Sequence, residues 1–120
     1  MGRGPREVAE SYWRAECTRD TDAVLSHYWP DAEFRSPSQR YLGHAQIRSY
    51  YDESAARFPG LDVTIVRDLV VGNVGALEWT ARLTDADGRT VAVDGVNLVE
   101  VRDGRFVSVH SYFDATLLGR

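Results

Sequence analysis

The sequence predicts an α+β fold: a cone-shaped α+β barrel in which a curved, mostly antiparallel sheet carries three N-terminal helices on its concave face. Three observations point there. The first half has helical periodicity, with apolar positions recurring every three to four residues. The second half switches to alternation, Leu61, Val63 and Ile65 first, then Leu77, Trp79, Ala81 and Leu83. Two turn sequences, Asp85-Ala86-Asp87-Gly88 and Arg102-Asp103-Gly104, join the last alternating runs as hairpins. Helices on one side of a curved sheet leave a mouth, and a mouth makes a pocket.

The elements follow in order. Pro5 suits an early helical position, and Val8, Tyr12, Ala15, Glu16 and Arg19 share one helix face. Asp20 or Thr21 can cap a short second helix, Asp22 to Tyr28, which Trp29-Pro30-Asp31 breaks. Glu33 to Arg35 is a short extended piece. Gly43 opens a third helix, Ala45 to Arg57, with Ile47, Tyr50, Tyr51 and Ser54 along one stripe, and Pro59-Gly60 ends it. On the last strand Val107, Val109, Ser111 and Phe113 share one face; Phe106, Ser108, His110 and Tyr112 share the other. On the strand before it, Val91, Val93, Gly95, Asn97 and Val99 oppose Asp94, Val96, Leu98 and Glu100. Neither face is purely polar, so a homodimer is expected through the outer one, near Val96, Leu98, His110 and Tyr112.

Composition excludes whole classes. A chain of 120 residues is one domain, 1–120. With 43% hydrophobic and 27% charged residues it is globular rather than disordered. A net charge of −4 leaves no basic surplus for nucleic acid. All 14 basic residues are arginine, so neither a Schiff base nor a P-loop can form. Cys17 is the single cysteine and forms no intrachain disulfide. The acids and histidines show no metal-ligand spacing, so neither a metal nor a cofactor is expected. Apolar runs fall far below the ~18 residues of a membrane span, and Met1 to Arg6 leads into no signal-peptide core. A cytoplasmic location without membrane contact is the expectation.

The order of elements, with "YWPDAEFRSP", "GHAQIRSYY" and "VRDGRFVSVHSYFDATLLG", resembles the nuclear transport factor 2-like superfamily over nearly the whole chain. SnoaL-like polyketide cyclases and ketosteroid isomerases are its nearest members. The signatures G-x-x-x-I-R-x-Y-Y and D-G-R-F with Y-F-D speak for the fold more than for a function, because this fold hosts isomerases, dehydratases, cyclases, epoxide hydrolases and plain binders. Laid against the isomerases, Tyr12 falls on the oxyanion-hole tyrosine, and Tyr28 and Tyr51 on the two tyrosines bonded behind it. Asn97 falls on the protonated aspartic acid that completes the hole. Two departures stand out. Ser36 occupies the general-base position, and Glu16 stands where the isomerases have apolar wall.

The resemblance therefore implies Tyr12 and Asn97 as donors to an enolate oxygen. Glu16, one helical turn from Tyr12, is the leading proton-transfer group, and Asp114 is the second. His110 and Tyr112 fall on the outer face by alternation. His27 and His44 are expected at the surface. The expected ligand wall is aromatic and apolar: Trp13, Tyr28, Phe34, Tyr51, Phe58 and Trp79. Phe113, Val99, Ser36 and Ser111 complete it. Such a wall suits a hydrophobic, carbonyl-bearing small molecule, polyketide- or steroid-like. Two functions stay open: a cofactor-free isomerase, cyclase or lyase, and a non-catalytic small-molecule-binding domain.

Overall fold

Proline at the first helical position costs nothing, since the N–H it lacks would have no partner there. Pro5 takes that place in α1, Pro5–Cys17, where the Glu7 carboxylate accepts from the Gly4 N–H at 3.0 Å. The computed structural model describes residues 3–118. α1 buries Val8, Ala9, Tyr12 and Trp13 against the sheet. It ends at Thr18, and Arg19 follows with φ 62°, in the left-handed region that glycine favours. Asp20 then caps α2, Thr21–Leu25, accepting from the Ala23 N–H.

α2 is shorter than the sequence predicts. Tyr28 opens β1, Tyr28–Arg35, and Trp29-Pro30-Asp31 lies inside a strand rather than breaking a helix. The reason is the pairing. β1 runs parallel to β6, and its register is interrupted between Tyr28 and Glu33, so Pro30 falls where no ladder donor is needed. β2, Arg40–Leu42, pairs antiparallel with β1 and is too short to show alternation. α3, Gly43–Arg57, starts two residues before the expected Ala45; Gly43 has φ 79° and ends β2 in a sharp turn.

The second half holds β3, Gly60–Val71; β4, Val74–Thr84; β5, Thr90–Arg102; and β6, Arg105–Phe113. The sheet order is β2-β1-β6-β5-β4-β3, antiparallel except at β1–β6. Alternation sorts most side chains as predicted, with Leu77, Trp79 and Ala81 inward opposite Asn97, Gly95 and Val93. Phe106 is the exception. The register shifts between Glu100 and Val101, so Val107 is an extra residue and Phe106 pairs with Val101 on the inner side. A single inserted residue inverts the alternation beyond it. Phe106 is accordingly buried, its ring 5.4 Å from that of Tyr12 and 5.2 Å from that of Tyr28.

The core sits between the helices and the inner face, around Val8, Val24, Tyr28, Phe34, Ile47 and Leu77. Each such side chain contributes about 1.5–3 kcal/mol by leaving water. His27 belongs with them, against the surface expectation. Its Nδ1–H donates to the Ala23 carbonyl at 2.8 Å, and Nε2 accepts from the Ser11 hydroxyl at 2.7 Å, which ties α1 to α2. Burial lowers its pKa and keeps it neutral.

Candidate functional site

Between α1, α3 and the inner sheet face lies a cavity of about 210 Å³. Tyr12, Trp13 and Glu16 reach it from α1, Phe34 from β1, and Trp79, Asn97, Ser111 and Phe113 from the sheet. Its size is below the roughly 300–1,000 Å³ of pockets that hold drug-sized ligands, so as it stands it suits one or two rings.

Three tyrosines back the inner end. The Tyr51 hydroxyl lies 2.6 Å from that of Tyr12 and 2.7 Å from that of Tyr28. A phenol has one proton, so in a chain running Tyr28 to Tyr51 to Tyr12 the Tyr12 proton is free to turn to Glu16, its partner here, or to a ligand oxygen in the cavity. Burial raises all three well above the ordinary phenol value, so they stay protonated donors at neutral pH. Tyr12 lines the cavity; Tyr28 and Tyr51, expected on the wall, stand behind it.

Asn97 is 4% exposed, and its Oδ1 accepts from the Trp79 Nε1–H at 2.9 Å. An indole N–H only donates, so it decides which way the amide faces. The Nδ2 donors are left for the cavity that Asn97 lines. Gly95, opposite Trp79 in register, makes room for this: a Cβ there would lie 2.3 Å from Trp79 Cζ2.

Glu16 lines the same cavity, with its side chain 13% exposed. Burial pushes its pKa up; the nearby Arg19 guanidinium, with Nη1 3.7 Å from Oε2, and hydrogen bonding with Tyr12 pull the other way. A carboxyl group, a phenol and an amide donor therefore share one largely aromatic cavity. That set can take a proton from carbon and steady the oxygen that becomes negative.

The remaining expected residues divide. Trp13, Phe34, Phe58, Trp79, Ser111 and Phe113 line the cavity. Val99, two residues along β5 from Asn97, is buried in the core instead and is not on the cavity wall. Ser36 lines the cavity, but its hydroxyl closes the turn to Gln39, accepting from the Gln39 N–H at 3.1 Å. Asp114 is exposed and caps the 3-10 turn Ala115–Leu118, accepting from the Thr116 N–H and hydroxyl. It is not on the cavity wall. His110 lies on the outer face, its Nε2 2.7 Å from Glu33 Oε1. Sequence reasoning missed Glu53 and Arg57, which line the cavity with Tyr50 and Ser54. The spacing 50, 53, 54, 57 is one helical stripe, and that signal was present in the sequence.

Among the described residues no group of three or more His, Cys, Asp or Glu side chains is placed to hold a metal ion, and no helix is long and apolar enough to cross a membrane.

Residues 9–109 match the SnoaL-like domain family. A search of the curated proteins finds no match. Among solved structures, TerC co-crystallised with polyporic acid is 22% identical, with a TM-score of 0.83 over 96% of this chain and 98% of that one. A protein with a ketosteroid isomerase-like fold from Catenulispora acidiphila, in complex with trimethylamine, is 17% identical, with a TM-score of 0.85 over 97% and 91%. An LEH-like epoxide hydrolase of M. tuberculosis is 23% identical, with a TM-score of 0.79 over 94% and 84%. At these identities the likeness is one of fold.

Proposed function

The chain belongs to the SnoaL-like domain family, and from that premise we propose that it is a small cofactor-free enzyme doing acid–base chemistry beside a carbonyl, of isomerase, cyclase or dehydratase type. The observation that carries this is Glu16, Tyr12 and Asn97 on the wall of one cavity. The Glu16 carboxylate takes a proton from the carbon next to the carbonyl. The C–H electron pair moves into the new C=C bond, and the carbonyl π pair moves onto oxygen. Tyr12 and the Asn97 amide donate to that oxygen, each charge-assisted bond being worth about 1.5–3 kcal/mol. Glu16 then returns the proton to another carbon, and the carbonyl reforms. The substrate is a hydrophobic, carbonyl-bearing molecule of one or two rings, which the aromatic wall and the cavity volume support.

Cyclohex-3-enone in deuterium oxide, followed by proton NMR, tests this. The expected result is exchange of the protons beside the carbonyl above the buffer rate, abolished in Glu16→Gln. A second reading, a non-catalytic binding domain, is favoured by Ser36, whose hydroxyl is spent on its own turn where the isomerases carry their base. Tight binding of para-nitrophenolate with no exchange by the native protein would select that reading and sink the first.

The outer face supports assembly into a homodimer. Leu98 and Tyr112 are 43% and 50% exposed there, beside Val96 and the His110–Glu33 pair. A second copy seated on β5 and β6 would cover them.

A further inference from the structure

Two described non-glycine residues have left-handed backbone, Arg19 at φ 62° and Asp103 at φ 50°. Asp103 sits at a hairpin tip, where aspartate tolerates that conformation. Arg19 follows the C-cap of α1, the place where glycine ordinarily ends a helix. What distinguishes it is what the side chain holds. It is 11% exposed, deep for an arginine. Its Nε donates to the Phe58 carbonyl at 3.1 Å and its Nη2 to Ser54 Oγ at 3.0 Å. Its Nη1 lies 3.5 Å from the Glu16 carbonyl and 3.7 Å from Glu16 Oε2. Glu16, Ser54 and Phe58 all line the cavity, and Arg19 does not.

We propose that Arg19 is a positioning residue: from behind the cavity wall it sets a fixed positive charge beside the Glu16 carboxylate and so favours its charged form. The charged form begins by taking a proton, which suits a carbon acid better than an epoxide or alcohol that must first be protonated. This rests on the reading of Glu16 as the proton-transfer group. Hydrogen bonds to Phe58 and Ser54 fix the guanidinium, so its charge stands at a set distance, 3.7 Å, from Glu16 Oε2. Other titratable groups surround Glu16. Tyr12 shares its helix, Tyr28 on β1 and Tyr51 on α3 feel its charge, and Cys17 is its neighbour, faced in turn by Asp62 of β3. Glu53 and Arg57 of α3 share the cavity wall. Arg57 is engaged elsewhere, donating to the Leu118 carbonyl and stacking on Phe58. Among the described residues Arg19 is thus the cation paired with Glu16, and its pull is the largest opposing the effect of burial.

The test is the titration of Glu16 in ligand-free protein carrying carbon-13-labelled glutamate, its signal assigned by loss in Glu16→Gln. Arg19→Gln and Arg19→Gly should move the midpoint up by about one to three pH units, the usual effect of losing a nearby opposite charge. Arg19→Lys, which keeps the charge, should stay near the native value. Arg19→Gly relieves the left-handed backbone and covers the case in which Arg19→Gln does not fold. Midpoints that stay at the native value in both neutral variants overturn the proposal. A purely structural role would lower the melting temperature without separating Lys from Gln. The cyclohex-3-enone assay is read separately. Shifted midpoints with no exchange by native protein would refute the enzymatic reading alone; exchange with unshifted midpoints would refute the Arg19 clamp alone.

Discussion

At Gly95 an added methyl would meet Trp79 Cζ2 at 2.3 Å and the Tyr112 carbonyl at 2.7 Å. A rigid ring and a backbone atom cannot both yield, so Gly95→Ala should push the indole off the sheet and free the Asn97 amide. The expected cost is about 1–3 kcal/mol in urea unfolding. Loss of an aimed donor should also weaken para-nitrophenolate binding roughly tenfold, read by absorbance titration. Unchanged affinity would mean that Asn97 does not address the ligand. Glu16 makes a prediction about pH. Its folded pKa is raised by burial, with Arg19 and Tyr12 opposing. Its contribution to stability is full below the ordinary carboxylate pKa and is lost as pH rises through its folded value. Glu16→Gln should therefore gain stability relative to the native protein across that window. Parallel urea curves at every pH would contradict the burial of this carboxyl group.

Within β6 a single extra residue decides which side chains reach the core. Phe106 is inward because Val107 is inserted in the ladder. Phe106→Ala should cost about 3–5 kcal/mol, the range for emptying a buried phenylalanine site, and Val107→Ala distinctly less. Uninterrupted alternation would reverse the ranking, so thermal unfolding of the two variants tests the bulge directly. α1 shows the same economy of position. Its inner face carries Val8, Tyr12 and Trp13, and its last turn carries Glu16, so one helix supplies both packing and one of the cavity's two acids, Glu53 of α3 being the other.

At the scale of the whole molecule, the proposed homodimer is tested at the centre of the outer face. Leu98 pairs across the ladder with Ala76 on one side and His110 on the other, in the middle of the outer face. The native protein should sediment as two chains of 13.5 kDa each, and Leu98→Arg as one, because dimerisation would bury an unpaired guanidinium. A native protein sedimenting as one chain at micromolar concentration would rule the homodimer out.

Periodicity alone determined the strands of the second half, the third helix and the inner placement of Trp79 and Asn97, because alternation and helical stripes are local properties of the chain. The same locality explains the misreadings. Tyr28 to Asp31 reads as a helix end, yet its parallel partner β6 lies about eighty residues away in sequence and makes it a strand. Phe106 reads as outward until the ladder with Val101 exposes the bulge. His27 reads as surface because its partners, Ser11 and the Ala23 carbonyl, meet it only when α1 and α2 pack. The site divides along the same line. Residue types on one helix turn marked Tyr12 and Glu16 as neighbours. Which way the Asn97 amide faces, that Tyr28 and Tyr51 stand behind the wall, and that Arg19 reaches across to Ser54 and Phe58 were settled by contacts between segments far apart in sequence, since only tertiary packing brings their atoms within bonding distance.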